Sequence, residues 1–61
     1  MELAQIKKGA QVRINTEQRY GHVWRIVDVE LGSRGLLLTL EREEGGQTYR
    51  EQELATLCVA A

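Results

Sequence analysis

The chain has 61 residues, 43% of them hydrophobic, and Lys+Arg 8 against Asp+Glu 9 leave a formal charge of −1. That length accommodates one hydrophobic core, and that hydrophobic content excludes a disordered chain. The charge balance excludes the strongly basic surface of a dedicated nucleic-acid binder, and a lone cysteine, Cys58, excludes an internal disulfide.

Gly9, Gly21, Gly32 with Gly35, and Gly45 with Gly46 cut the sequence at intervals of roughly ten residues, with apolar and β-branched runs between them. This is the punctuation of an all-β domain. The first strand runs from Ala10 to Asn15, with Val12 and Ile14 on one face, and Asn15–Tyr20 is a polar loop. His22–Leu31 is a long second strand. Val23, Val27, Val29 and Leu31 share one of its faces with Arg25, while His22, Trp24, Ile26, Asp28 and Glu30 share the other. Apolar residues on both faces mean either a bent strand that serves two sheets or a bulge near Arg25. Leu31–Gly35 is a tight turn, because glycine tolerates the positive φ that such turns demand.

Leu36–Arg42 forms a third strand, with Leu36, Leu38 and Leu40 inward and Leu37, Thr39 and Glu41 outward. Leucine suits a helix better than a strand, but the flanking glycines leave too little length for one. Glu43–Gly46 closes a hairpin onto Gln47–Arg50. Glu51–Leu54 reads as a single helical turn and Thr56–Val59 as a short last strand. No linker, repeat or low-complexity segment interrupts residues 1–61, which read as one domain.

The series Gly9-x-x-Val12-x-Ile14, a polar loop, then Gly21-x-Val23-x-x-Ile26 resembles the opening of KOW-type and other SH3-like small barrels. The segment Tyr49–Leu54 is similar to their strand, 3-10 turn and closing strand. The resemblance implies an SH3-like five-stranded barrel with one short 3-10 turn before the last strand. It also implies two kinds of partner. Such barrels serve as accessory subunits that bind protein, and as RNA- or DNA-binding domains of ribosomal and elongation proteins.

Catalysis requires a nucleophile, a base and an orienting group. His22, Ser33 and Cys58 are widely spaced, so no triad is indicated and no enzyme is expected. Cys58 beside Val59 reads as a small apolar residue, and Asp28 with Glu30 as a solvated edge. A structural zinc site takes four ligands of the Cys or His type, and only His22 and Cys58 are present, so neither metal nor cofactor is expected. Gly45-Gly46-Gln47 and Gly32-Ser33-Arg34-Gly35 match short motifs of translation and RNA-binding proteins, but both are explained as turns.

Arg13, Arg19, Arg25, Arg34, Arg42 and Arg50, with Tyr20 and Trp24 between them, have the makings of a phosphate-and-stacking surface. Seven glutamates scattered among them favour a mixed, solvated surface instead. Straight alternation of the second strand turns Trp24 and Ile26 outward beside Leu37, flanked by Arg25 and Arg34, as a partner-binding patch. The opposing reading buries Trp24 in the core. The expected function is a non-catalytic interaction module that binds a protein partner or itself, with a KOW-like nucleic-acid-binding domain as the alternative. No apolar run approaches the ~20 residues that span a bilayer, and Met1–Gln5 is no secretory signal. The expected location is therefore cytoplasmic, without membrane insertion.

Overall fold

The computed structural model describes residues 6–14 and 22–61. The polar loop expected over Asn15–Tyr20, with Arg19 and Tyr20 in it, lies outside the described residues. Five strands follow one another: β1 (Gln11–Ile14), β2 (Trp24–Gly32), β3 (Gly35–Glu44), β4 (Gln47–Leu54) and β5 (Cys58–Ala60). A 3-10 turn, Ala55–Leu57, stands between β4 and β5. Among the described residues all pairings are antiparallel and form one sheet in the order β4-β3-β2-β1-β5, with β4 and β5 at its edges. Among the described residues no helix is long and apolar enough to cross a membrane.

Turn chemistry sets the central meander. Gly45 and Gly46 both take positive φ, +59° and +79°, between the paired residues Glu44 and Gln47. Two consecutive left-handed residues make a type I′ turn, whose twist matches that of the strands it joins. At the opposite end, Ser33 and Arg34 bridge the pair Gly32 and Gly35. The resulting ladder overrides a local preference. Glu51–Leu54, expected as a helical turn, is strand, because its residues continue the β3 pairing: Glu51 faces Leu40, Glu53 faces Leu38 and Leu54 faces Leu37. The 3-10 turn follows directly at Ala55–Leu57, four residues after the expected start, and β5 begins at Cys58 rather than at Thr56.

The two unequal faces of β2 have one cause. Its register with β3 steps from Ile26↔Leu40 to Asp28↔Thr39, so Val27 is an extra residue with no partner of its own. An added residue reverses which side chains face inward, because strand side chains alternate with period two. Trp24 and Ile26 therefore point to the core before the bulge, and Val29 points there after it. Of the two explanations that the sequence leaves open, the structure has the bulge, two residues beyond Arg25.

The core consists of Val12 and Ile14 from β1, Trp24 and Ile26 from β2, Leu38 and Leu40 from β3, with Ala55 and Cys58 closing one end. Ile6, Ala10, Val29 and Leu36 pack around it. Burying an aliphatic side chain of this size contributes about 1.5–3 kcal/mol. Backbone bonds tie the segment before β1 to the same place. Gly9 N–H donates to the Ile26 carbonyl at 2.8 Å, and Ile26 N–H donates to the Ala10 carbonyl at 2.9 Å. These bonds extend the β1–β2 pairing back through Ala10 and Gly9 and hold Ile26 beside them.

Candidate functional site

Each face of the β2–β3–β4 meander carries its own rows of side chains. On the core-side face, the register places Arg42 opposite Tyr49. Arg25 pairs with Glu41, which puts Trp24 beside Arg42 in the same row. The Arg42 guanidinium lies 5.1 Å from the centroid of the Trp24 ring and 4.4 Å from that of Tyr49. Both distances are within the range in which an aromatic quadrupole attracts a cation. Arg42 Nη1 also donates to Glu44 Oε1 at 2.5 Å, while its buried Nε has no partner. The guanidinium is thus held between two rings and a carboxylate.

Further along this face the core fills β2 and β3, but β4 presents Glu51 and Glu53 opposite Leu40 and Leu38. Trp24, Arg42, Tyr49, Glu51, Glu53 and His22 line a cleft of about 370 Å³, with Ile14 at its back. Its two arginines are committed. Arg42 holds Glu44, and Arg50, which also borders the cleft, pairs with Glu41. Glu51 and Glu53 take part in no ion pair among the described residues.

The outer face carries a different set. Glu41 accepts from Arg50 Nη2 at 2.7 Å through one oxygen and from Arg25 Nη2 at 3.1 Å through the other. The Arg50 hydrogen bond, with the charges of Arg50 and Arg25, holds the Glu41 carboxyl below its ordinary pKa against the opposing effect of desolvation. In the next row Gln52 Nε2 donates to Thr39 Oγ1 at 3.4 Å. The last row joins Glu30, Leu37 and Leu54, and a second cleft of about 270 Å³ opens there against Arg34 and the glycines of the turn.

The patch expected from straight alternation is therefore divided. Trp24 and Ile26 are 5% and 0% exposed, because the Val27 bulge lets them join Val29 on the core face. Leu37 and Arg34 do meet, at the second cleft. Arg25 lies on the outer face in its ion pair with Glu41. The sequence marks Arg42 only as one of six arginines of a phosphate-and-stacking surface and does not mark Tyr49 as a site residue. Their contact was readable from the hairpin, since a two-residue Gly-Gly loop pairs Glu44 with Gln47 and hence Arg42 with Tyr49.

The groups considered for catalysis are dispersed. His22 borders the first cleft, Ser33 borders the second, and Cys58 is 2% exposed in the core. Burial, reinforced by the charge of Glu53, pushes the Cys58 thiol up from its ordinary pKa, and its Sγ lies 3.6 Å from the Leu54 carbonyl oxygen. A protonated, enclosed thiol is a poor nucleophile. Among the described residues no three of His, Cys, Asp or Glu are grouped to hold a metal. No family model matches this chain, no curated protein matches it in sequence, and no solved structure matches it in fold.

Proposed function

We propose that this chain is a non-catalytic interaction module, an SH3-like small barrel that binds a protein partner on the face carrying Arg42, Tyr49, Glu51 and Glu53. Five antiparallel strands with a 3-10 turn directly before the last support the barrel reading. A protein partner, rather than the RNA or DNA of a KOW-like domain, is supported by one observation. Arg25 and Arg50 share the single carboxylate of Glu41, and Arg42 pairs with Glu44, so each of these guanidinium groups already donates within the chain. Phosphate recognition needs guanidinium groups whose donors face the ligand. What the cleft offers instead is a 41%-exposed Tyr49 and two carboxylates. The reading assigns no catalytic residue and no cofactor.

The test is capture from the source cells on the immobilised chain, with and without nuclease, beside a Tyr49→Ala column. The reading expects a protein that withstands moderate salt and nuclease and is lost from the Tyr49→Ala column. Single-stranded RNA should bind no tighter than ~10⁻⁵ M near physiological salt. Sub-micromolar RNA affinity that falls steeply with salt and with Arg34→Ala would replace the protein partner with the nucleic-acid alternative.

A further inference from the structure

Among the described residues, the eight residues of β4 have a strand partner on one side only. The Gly45–Gly46 loop closes on the pair Glu44↔Gln47, and in a two-residue hairpin that pair exchanges both backbone hydrogen bonds. Counting from it, Gln47, Tyr49, Glu51 and Glu53 turn their N–H and C=O groups toward β3. Thr48, Arg50 and Gln52 turn theirs to the open edge. A strand added antiparallel to that edge would bond to these three residues. Its alternate residues, two between these positions and one beyond Gln52, would stand opposite Tyr49, Glu51 and Glu53 in the non-hydrogen-bonded positions, where facing side chains come closest. Those positions lie on the cleft face.

The charge of that face selects the occupant. Both arginines at the cleft are engaged by Glu44 and Glu41, whereas Glu51 and Glu53 have no cationic partner among the described residues. Building on the proposed protein-binding role, we infer that the β4 edge receives an extended segment of a partner protein in antiparallel pairing. That segment carries Lys or Arg at two alternate positions, opposite Glu51 and Glu53, with an uncharged residue between them.

A second copy of the chain does not meet this requirement. Two-fold antiparallel pairing of β4 with itself keeps like faces together, so a residue can oppose only residues of its own parity. The two such registers with the longest overlap are centred on Arg50 and on Glu51. They set Arg50 against Arg50 or Glu51 against Glu51, and like charges directly opposite each other repel.

Two synthetic peptides of one composition test the inference: Thr-Val-Lys-Thr-Lys-Thr-Val, and an isomer with the lysines adjacent, Thr-Val-Lys-Lys-Thr-Thr-Val. Adjacent lysines on a strand point to opposite faces, so only the first peptide reaches both carboxylates. Titrated into the ¹⁵N-labelled chain, it should shift the Thr48, Arg50 and Gln52 amides and slow their hydrogen exchange. It should also bind about two- to fivefold more tightly than its isomer, the worth of one further cross-strand ion pair. Glu51→Gln with Glu53→Gln should erase that preference while leaving the core resonances in place. Equal affinity for the two isomers, shifts confined to other residues, or no shift at millimolar peptide would overturn the inference. If the peptides fail while Tyr49→Ala still releases the native partner, the edge inference falls and the proposed function stands.

Discussion

Trp24→Ala is the most searching perturbation of this fold. Trp24 is 5% exposed, faces Val12 of β1 and stacks against Arg42. Truncating a buried aromatic residue to alanine costs about 3–5 kcal/mol, and losing one ring from the Arg42 stack adds about 0.5–1 kcal/mol. A single core of this size supplies on the order of 3–5 kcal/mol in total. The variant is therefore expected to be unfolded or barely folded in water. Urea titration followed by far-ultraviolet circular dichroism is the assay, because Trp24 is the sole tryptophan and its fluorescence disappears with it. Trp24→Phe retains a ring beside Arg42 and should fold with a lowered midpoint. Tyr49→Ala, at an exposed position, should lose about 1 kcal/mol or less. With a slope near ~1 kcal/mol per molar urea, a Trp24→Ala midpoint within about 1 M of wild type would refute the burial of Trp24. The assignment of the bulge to Val27 would fall with it.

Further outcomes are expected at Glu41, at Cys58 and at the β3–β4 turn. The Glu41 pKa is lowered in the fold, so its contribution is present above the ordinary 4.5 and is lost as pH falls through the lowered folded value. Glu41→Gln should accordingly melt below wild type at neutral pH, with the gap closing in acid; a gap independent of pH would refute the Arg25–Glu41–Arg50 bridge. The Cys58 pKa is raised, so stability is intact below the ordinary 9.0 and declines as pH rises through the folded value, a decline that Cys58→Ala should abolish. The same thiol should react with a disulfide reagent no faster than the protein opens. At the β3–β4 turn no atom lies within 4 Å of a Cβ added at Gly45 or Gly46, so a substitution there meets only the backbone cost of positive φ. Gly46→Val should lower stability by about 1–2 kcal/mol, while Gly45→Asn, which suits a type I′ turn, should leave the urea midpoint nearly unchanged.

Glycine spacing made much of the strand content legible, because Gly35, Gly45 and Gly46 take positive φ at the two hairpin turns and the runs between were too short for helices. The Leu36, Leu38 and Leu40 alternation likewise pointed to the inward face of β3, and Leu38 and Leu40 are fully enclosed. Residues 51–54 were misread because Glu-Gln-Glu-Leu favours a helix locally. Only the pairing of Glu51 and Glu53 with β3, a non-local interaction, holds them extended. Straight alternation turns Trp24 and Ile26 outward whereas the structure buries them, and the difference arises at a single step. Period-two alternation assigns Trp24 and Val29 to opposite faces, and nothing in the composition marks Val27 as the residue that breaks the count. The Trp24–Arg42–Tyr49 row depends on two registers at once, so it emerges only when three strands are aligned.

The short first strand has a consequence for the order in which the fold is completed. β2, β3 and β4 join through two-residue turns, so their pairing closes small loops and can form early. β1 is different: Val12 faces Trp24 on one side and Ala60 on the other, and Ile14 faces Cys58. Of these five strands, β1 leaves the ribosome before the others and β5 after them, so β1 waits for β5. Until β5 arrives, the backbone edge of Val12–Ile14 is uncovered and the place of Cys58 in the core is vacant. A product cut short before Cys58 would keep that edge open permanently. Unpaired apolar edges recruit other strands, so such a fragment should aggregate rather than remain a smaller version of the same protein.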